Sequence, residues 1–248
     1  MHIGRTRFKK DIVAEFIAPK NTKSDKVMIF CSGMPSAPYK DDVLEFYSKK
    51  GFWTFFPRYR GSWESSGIFL EKSPHIDVLD VIDGLNDKFK DYWGEKTYRV
   101  KAKHITVVGT SFGGPAAILA TLDKRVNKAI AISPVVDWKS EDKSDPLNNL
   151  YDFTKNAYGG SYRLNKKYWN KLSSGKFYNP LHHINELDRE KILILHAEND
   201  DIVRYKPVAK FVSKLGCEFI SFKRGGHLSS TILLNYRYYW RVIKFLQK

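Results

Sequence analysis

Short apolar runs and amphipathic segments alternate along most of this chain. Strand-like segments, several of them continuous apolar runs of the kind buried on both faces of a sheet, lie at residues 26–31, 52–57, 104–108, 128–136, 191–196 and 217–222. Helix-like segments lie between or after them, at residues 41–50, 74–89, 115–120, 206–215 and 230–246. Strands that alternate with helices indicate a parallel sheet with right-handed crossovers. We therefore predict an α/β fold, with a mostly parallel central sheet flanked by helices, in a single domain over residues 1–248.

The alternation stops between residues 137 and 188. This segment is polar, with helix-like stretches at residues 145–157 and 165–172, and it is rich in aromatic residues: Trp138, Tyr151, Phe153, Tyr158, Tyr162, Tyr168 and Trp169. Roughly fifty residues are too many for an ordinary loop. Open α/β sheets keep their sites at the carboxyl ends of the strands. We expect residues 137–188 to form a small helical cap, inserted before the strand at 191–196, that places an apolar lid over such a site.

A glycine-flanked serine joins the strand at 104–108 to the helix at 115–120. The sequence from Gly109 to Gly114 reads Gly-Thr-Ser-Phe-Gly-Gly. A strand, this serine and a helix, in that order, make the G-x-S-x-G nucleophile elbow, a strained turn that holds the serine hydroxyl clear of both elements. The flanking glycines are needed because a Cβ would clash where the strand and the helix approach each other. Ser111 is therefore the candidate nucleophile.

Candidate partners for Ser111 follow later strands. A serine hydroxyl needs a base to accept its proton and a third group to orient that base, and after an elbow of this type the acid precedes the histidine. Asp200 and Asp201 come just after the strand at 191–196, and either could reach toward the elbow while the other caps the next helix. His227 follows the strand at 217–222 on a glycine turn, where a histidine has little structural purpose.

The developing oxyanion of an acyl-transfer reaction also needs donors. One is expected to be the backbone N–H of Phe112, directly after the nucleophile. The other is expected from the loop after the first buried strand, where the backbone N–H of Met34 is the candidate. Because both groups belong to the main chain, the side chains matter little for this role.

Other polar residues have ordinary structural explanations. His196 lies inside a strand and is expected to be buried and structural, whereas His182 and His183 are expected to be surface or lid residues. Asp77, Asp80 and Asp83 lie on a different face of their helix from the apolar residues, and we expect this aspartate face to be solvated.

These segments resemble the α/β-hydrolase superfamily over nearly the whole chain. Residues 32–35, Ser-Gly-Met-Pro, are similar to the H-G-x-P oxyanion loop with serine in place of histidine, and residues 59–67 are similar to the R-G-x-G-x-S-x-G loop. Residues 196–203 are similar to the H-G-x-x-D-x-x-V-P motif, which selects Asp200 over Asp201. Ala197 and Arg204 replace its glycine and proline. Gly226-His227 matches the histidine loop, and residues 158–160 and 179–181 are similar to the prolyl-oligopeptidase-like and dienelactone-hydrolase-like branches.

The resemblance implies a serine hydrolase with Ser111, Asp200 and His227 as its catalytic triad. A small-molecule carboxylic ester is the expected substrate. A peptidase or amidase acting on small peptides, or an acyltransferase that uses the same triad, is the alternative. No metal and no organic cofactor is expected.

Net charge adds one consideration about partners. The formal charge is +15, and Glu218 is the sole acidic residue after Arg204. The basic residues are spread over successive elements without a nucleic-acid-binding motif, so we expect a solvated lysine-rich surface rather than a nucleic-acid partner. The sequence leaves open whether the chain forms a homodimer. No apolar run approaches the length of a membrane span and the N-terminus lacks a signal-peptide pattern, so a cytoplasmic location is expected.

Overall fold

Six neighbouring strands in the central sheet pair with one another in parallel. The computed structural model describes residues 2–38, 41–140 and 147–248. Within these residues the strands are β1 (Gly4–Phe8), β2 (Ile12–Ile17), β3 (Lys26–Cys31), β4 (Trp53–Pro57), β5 (Phe89–Lys90), β6 (Thr97–Tyr98), β7 (His104–Thr110), β8 (Val126–Ile132), β9 (Ile192–Ala197) and β10 (Glu218–Phe222). The sheet order is β1-β2-β4-β3-β7-β8-β9-β10, with antiparallel pairing at β1–β2 and β2–β4 only, and β5–β6 is a separate hairpin. The predicted α/β fold is confirmed.

Helices cover both faces of the sheet. They are α1 (Asp41–Lys49), α2 (Pro74–Leu85), α3 (Gly113–Ala120), α4 (Leu147–Tyr158), α5 (Lys166–Trp169), α6 (Tyr205–Leu215) and α7 (Tyr236–Gln247). Successive side chains of a strand point to opposite faces. Val27 and Ile29 of β3 accordingly join the core under α2, α3 and α6, whereas Met28 and Phe30 join the core under α1 and α7.

The helix predicted over residues 74–89 is too long, because α2 ends at Leu85. Phe89 continues the helical spacing of apolar residues, but it lies in β5 and packs against Phe8, Phe16 and Phe55 with ring centroids 5.4–5.9 Å apart. Those three rings come from β1, β2 and β4. The sequence pattern predicted no strand at the positions of β1 and β2. Tertiary aromatic packing therefore decides the structure of this residue.

Two further boundaries differ from the sequence prediction. The strand predicted over residues 128–136 is β8, which ends at Ile132, because Ser133 turns the chain with a φ of 45°. The closing helix predicted over residues 230–246 is divided into a 3₁₀ segment at Ser230–Leu234 and α7. The side chain of Asn235 between them caps α7 by accepting a hydrogen bond from the Arg237 N–H. The start of the helix predicted at residue 145 lies outside the described residues.

Asp77 is buried, contrary to the expected solvated face. It accepts hydrogen bonds from the backbone N–H and the guanidinium of Arg60, which also pairs with Asp11 and Asp80. Burial raises the pKa of Asp77 to about 6, and Arg60 opposes this shift. The Arg60 loop covers the helix face that periodicity alone had assigned to solvent.

The segment that interrupts the alternation is fastened to the loop after β4. Ser62 and Tyr162 form a β-bridge, and the N–H groups of Trp63 and Arg163 donate to the carbonyls of Ser161 and Gly61 at 2.6 and 2.7 Å. Within the segment, the indole N–H of Trp169 donates to the Leu147 carbonyl at 2.9 Å. These bonds attach the segment to the loop after β4 and join α5 to the start of α4.

Replacement of Phe89 tests its place in the aromatic core. Phe89 is 5% exposed and Phe153 on α4 is 56% exposed. We expect Phe89→Ala to lower the free energy of unfolding by about 3–5 kcal/mol, through lost burial and a residual cavity. Phe153→Ala, the matched control, should change it by less than about 0.5 kcal/mol. Urea unfolding followed by circular dichroism measures both, and equal small effects would contradict the packing described.

Candidate active site

Ser111 lies on the strained turn between β7 and α3, with a φ of 55°. The turn is held by backbone bonds, since the Ser111 N–H donates to the Ile132 carbonyl and the N–H of Gly114 donates to the Ser111 carbonyl. A Cβ on Gly109 would lie 2.0 Å from the Gly113 carbonyl oxygen, and a Cβ on Gly114 would lie 2.4 Å from the Pro134 side chain. The nucleophile elbow predicted from the sequence is thus the local structure, and its glycines are required by close approach.

Asp200 and His227 meet above the ends of β9 and β10. The Nδ1 of His227 lies 2.9 Å from Asp200 Oδ2 and 3.1 Å from Oδ1. Asp200 Oδ1 also accepts the N–H groups of Ile202 and Val203 at 3.0 and 2.9 Å. Burial opposes ionisation of this carboxyl, but the hydrogen bonds from His227, the Val203 N–H and Ser133 outweigh burial and lower the pKa of Asp200. Asp200 is therefore an ionised group that can orient the histidine ring.

Ser133 lies beside two loops: the loop after β9 that carries Asp200, here the acid loop, and the loop after β10 that carries His227, here the histidine loop. Its hydroxyl accepts the N–H of Leu228, the residue after His227, at 3.0 Å, and it helps to lower the pKa of Asp200. Its own N–H donates to the Leu195 carbonyl at 2.8 Å, and the side chain is fully buried. A positive φ at a buried residue other than glycine is a strained arrangement that the surrounding structure must maintain. Sequence reasoning missed this residue, and its only signal was a serine next to Pro134 at the end of a strand.

The loop after β3 faces the elbow, and each of these two segments contributes one candidate backbone donor. A Cβ on Gly33 would lie 3.4 Å from the Ser111 Cβ, so the two turns are in contact. Within the described residues, neither the Met34 N–H nor the Phe112 N–H has a hydrogen-bond acceptor. The loop is held from outside by Trp63, whose indole N–H donates to the Ser36 carbonyl at 3.0 Å, and by the Tyr162 hydroxyl, which accepts the Ser36 N–H at 3.1 Å.

A mostly apolar cavity of about 80 Å³ opens beside Ser111. Its lining combines the elbow, the loop after β3, the inserted segment and the acid loop, and includes Met34, Phe112, Val136, Trp138, Leu150 and Val203. Tyr178 supports the floor, because its hydroxyl donates to the Phe112 carbonyl at 2.5 Å. The nucleophile candidate therefore faces a small apolar space.

The structure brings together some of the predicted residues and separates others. Ser111 and the acid loop share the cavity, and His227 contacts Asp200, but within the described contacts the Ser111 hydroxyl and the His227 ring form no hydrogen bond. Asp201 is exposed beside the loop. His196 is buried, as predicted, with Nε2 donating to the Val203 carbonyl at 2.9 Å.

The substituted positions of the acid motif leave its geometry intact. Ala197 is fully buried in the core under α1 and α7, and Arg204 is exposed at the cavity mouth, just before α6. His182 and His183 lie in a 3₁₀ turn, where His182 is exposed and His183 is half-buried beside Glu186.

Solved structures share this fold at low sequence identity. An esterase of Pyrococcus furiosus, Pf2001, is 21% identical with a TM-score of 0.70, over 99% of this chain and 90% of that one. Est1E of Butyrivibrio proteoclasticus is 16% identical with a TM-score of 0.67, over all of both chains. An acylaminoacyl peptidase of Pyrococcus horikoshii is 17% identical with a TM-score of 0.66, over 98% of this chain and 40% of that one. No curated protein sequence matches.

The fold and the nucleophile elbow define an α/β-hydrolase. The family model of the prolyl oligopeptidase family matches residues 39–248. The chain belongs to the prolyl oligopeptidase family and is a serine hydrolase. None of the helices in the described ranges is sufficiently long and apolar to cross a membrane.

Removal of the Ser133 hydroxyl tests its role as a positioning residue. We expect Ser133→Ala to lower kcat for p-nitrophenyl acetate by about tenfold or more with little change in KM, since the hydroxyl acts on Asp200 and on the histidine loop rather than on substrate. Ser133→Gly accepts the positive φ without strain, so it removes the hydroxyl while keeping the turn.

Kinetics and unfolding of both variants separate the hydroxyl from the backbone. If Ser133→Gly recovers the full kcat, the hydroxyl has no positioning role. Loss in both variants, with a shifted acidic limb in the pH profile of kcat/KM, is the expected result.

Proposed function

We propose that this serine hydrolase is an esterase that cleaves small carboxylic esters with Ser111, Asp200 and His227 as its triad. The observation that carries the proposal is the hydrogen bond between Asp200 and His227, in a site where the acid loop and Ser111 line the same cavity. The absent Ser111–His227 bond is compatible with it, because catalytic hydrogen bonds are commonly long until substrate binds.

The reaction follows from the roles of these atoms. His227 Nδ1–H donates to Asp200, which leaves Nε2 as the base that takes the proton from Ser111 as its oxygen attacks the ester carbonyl. The N–H groups of Met34 and Phe112 stabilise the oxyanion. His227 then returns the proton to the leaving alcohol. A water molecule, deprotonated in turn by His227, hydrolyses the acyl-enzyme to the free acid and restores Ser111.

We also propose that residues 137–188 act as a cap on this site. Trp138 and Leu150 line the cavity, and the Thr154 hydroxyl of α4 contacts the Met34 sulfur at 3.6 Å. These contacts support a lid that touches both the acyl space and the oxyanion loop. The Tyr162 bond to Ser36 gives the cap a second attachment at the same loop.

The size of the cavity favours a small ester over a peptide. A space of about 80 Å³ suits a short acyl group, whereas sites for larger ligands run to about 300–1,000 Å³. The esterase Pf2001 and Est1E match this chain over nearly their full length, whereas this chain spans about 40% of the acylaminoacyl peptidase. Both observations support an esterase more than a peptidase.

Ser111→Ala tests the nucleophile. We expect it to reduce kcat/KM for p-nitrophenyl acetate by about 10⁴-fold or more and to abolish labelling by a fluorophosphonate probe. Ser140→Ala makes the same change in the same cavity and should keep both. Fluorophosphonate labelling of the Ser111→Ala protein at full stoichiometry would refute the assignment of the nucleophile.

A panel of acyl chain lengths tests the size of the acyl space. Wild type should prefer acetyl over octanoyl esters, because extra methylenes have no room in a closed pocket. Leu150→Ala should raise kcat/KM for butyryl and hexanoyl esters severalfold and leave acetyl turnover nearly unchanged. Leu122→Ala, at a surface position, is the matched control.

The same panel distinguishes the alternatives. Faster turnover of aminoacyl p-nitroanilides than of any ester would make the protein a peptidase. Acyl transfer to an added alcohol or thiol in preference to water would make it an acyltransferase.

A further inference from the structure

A second, larger groove lies at the opposite end of the sheet from Ser111. It has a volume of about 770 Å³. Lys26 and His104 begin the parallel strands β3 and β7, and Lys191 immediately precedes β9, so the groove is at the amino ends of the strands. Ser111 and Asp200 follow the carboxyl ends of β7 and β9. The groove is therefore separate from the proposed active site.

The groove is lined by far more positive than negative side chains. Its basic residues besides His104 are Lys26, Lys50, Lys124, Lys128, Lys191 and Lys248. The acidic residues are Asp188 and Glu190, and both carboxylates have other partners. Asp188 accepts the Glu190 N–H at 2.9 Å, and Glu190 pairs with Arg189 at 3.2 Å. Within the described residues, Lys26, Lys50 and Lys124 pair with no carboxylate.

Three of these lysines lie over aromatic rings, of which Phe52 and Tyr239 line the groove and Phe245 is buried. The Nζ of Lys128 lies 4.7 Å from the centre of the Phe245 ring, that of Lys50 lies 5.4 Å from Tyr239, and that of Lys26 lies 6.0 Å from Phe52. Lys128 Nζ also donates to the Glu190 carbonyl at 2.8 Å. Cation–π contacts of this kind limit the conformational freedom of the ammonium groups. The positive charges are therefore in place before a ligand binds.

Two of the positive groups, Lys128 and Lys248, are close enough to repel each other. Partial burial lowers the pKa of Lys128, and the positive charge of Lys248 lowers it further. The charge of Glu190 opposes both effects. Lys248 is itself tied to Glu218 at 2.6 Å. An anion placed between the lysines would relieve this repulsion.

We infer that this groove binds a compact anion that carries several phosphate groups. Its volume lies in the range of about 300–1,000 Å³ that small-molecule sites occupy. A nucleic-acid strand is less favoured, because it needs exposed rings for base stacking. Phe52 is 9% exposed, and lysines lie over both Phe52 and Tyr239. Inorganic polyphosphate and a nucleoside triphosphate share the required chemistry.

Calorimetric titration of the full chain with tripolyphosphate, ATP and a fifteen-residue oligothymidylate tests the inference. Tripolyphosphate should bind with one site per chain, more weakly as salt is raised. Equal affinity for tripolyphosphate and ATP would indicate that the groove recognises the phosphate groups alone. Tighter binding of ATP would indicate that the nucleoside makes additional contacts. Both results support the inference. Absence of tripolyphosphate binding at low salt, or clearly tighter binding of the oligonucleotide, would overturn it.

A matched pair of charge-reversal variants separates the groove from net charge. The triple variant Lys26→Glu, Lys50→Glu and Lys124→Glu should weaken tripolyphosphate binding by roughly tenfold or more. The control Lys20→Glu, Lys72→Glu and Lys210→Glu makes the same charge change at exposed positions outside the groove and should bind nearly as wild type. Both proteins should retain ester hydrolysis, which shows that they are folded. Equal loss of binding in the two variants would refute a specific site.

Discussion

The close approach of β3, β7 and α3 is the constraint on which the rest of the site depends. A Cβ on Gly109 would lie 2.0 Å from the Gly113 carbonyl oxygen, and one on Gly113 would lie 2.4 Å from the Cys31 carbonyl oxygen. The helix can begin directly on the sheet only because both positions are glycine. Ser111, enclosed between them, takes a φ of 55°. The strain is maintained by the packed elements on either side, so the position of the serine hydroxyl does not depend on residues 137–188.

The register of the sheet then determines where the other groups lie. Ile132 at the end of β8 pairs with Leu195 of β9, and Ala197 at the end of β9 pairs with Phe222 of β10. Loops that leave neighbouring parallel strands at matched heights begin close together, and Ser133 joins two of them through its hydroxyl. The geometry of the acid and the histidine is thus set by strand pairing and one buried serine. The inserted segment, by contrast, contributes Trp138 and Leu150 to the lining of the cavity beside Ser111.

The sequence predicts features that depend on local backbone chemistry. Position after a strand made Asp200, Asp201 and His227 candidates, and the resemblance to the H-G-x-x-D-x-x-V-P motif selected Asp200 over Asp201. The elbow at Ser111 could be recognised because its steric demands fall within six residues. Asp77 could not, because its burial depends on Arg60 from a distant loop. The edge strand β1 and its neighbour β2 were missed for a related reason. Glu15 interrupts the apolar run of β2, yet it is 7% exposed because Arg5 and Arg58 pair with it there.

The two ends of the sheet can carry different chemistry because the sheet keeps them apart. A parallel strand of six or seven residues rises about 3.3 Å per residue, which places its ends about 20 Å apart. This distance exceeds the Debye length of about 8 Å at physiological ionic strength. None of the leading influences on the pKa of Asp200 is a lysine of the groove: burial raises this pKa, and hydrogen bonds from His227, the Val203 N–H and Ser133 lower it. A large positive charge is compatible with triad chemistry because the groove and the site lie at opposite ends of one rigid element.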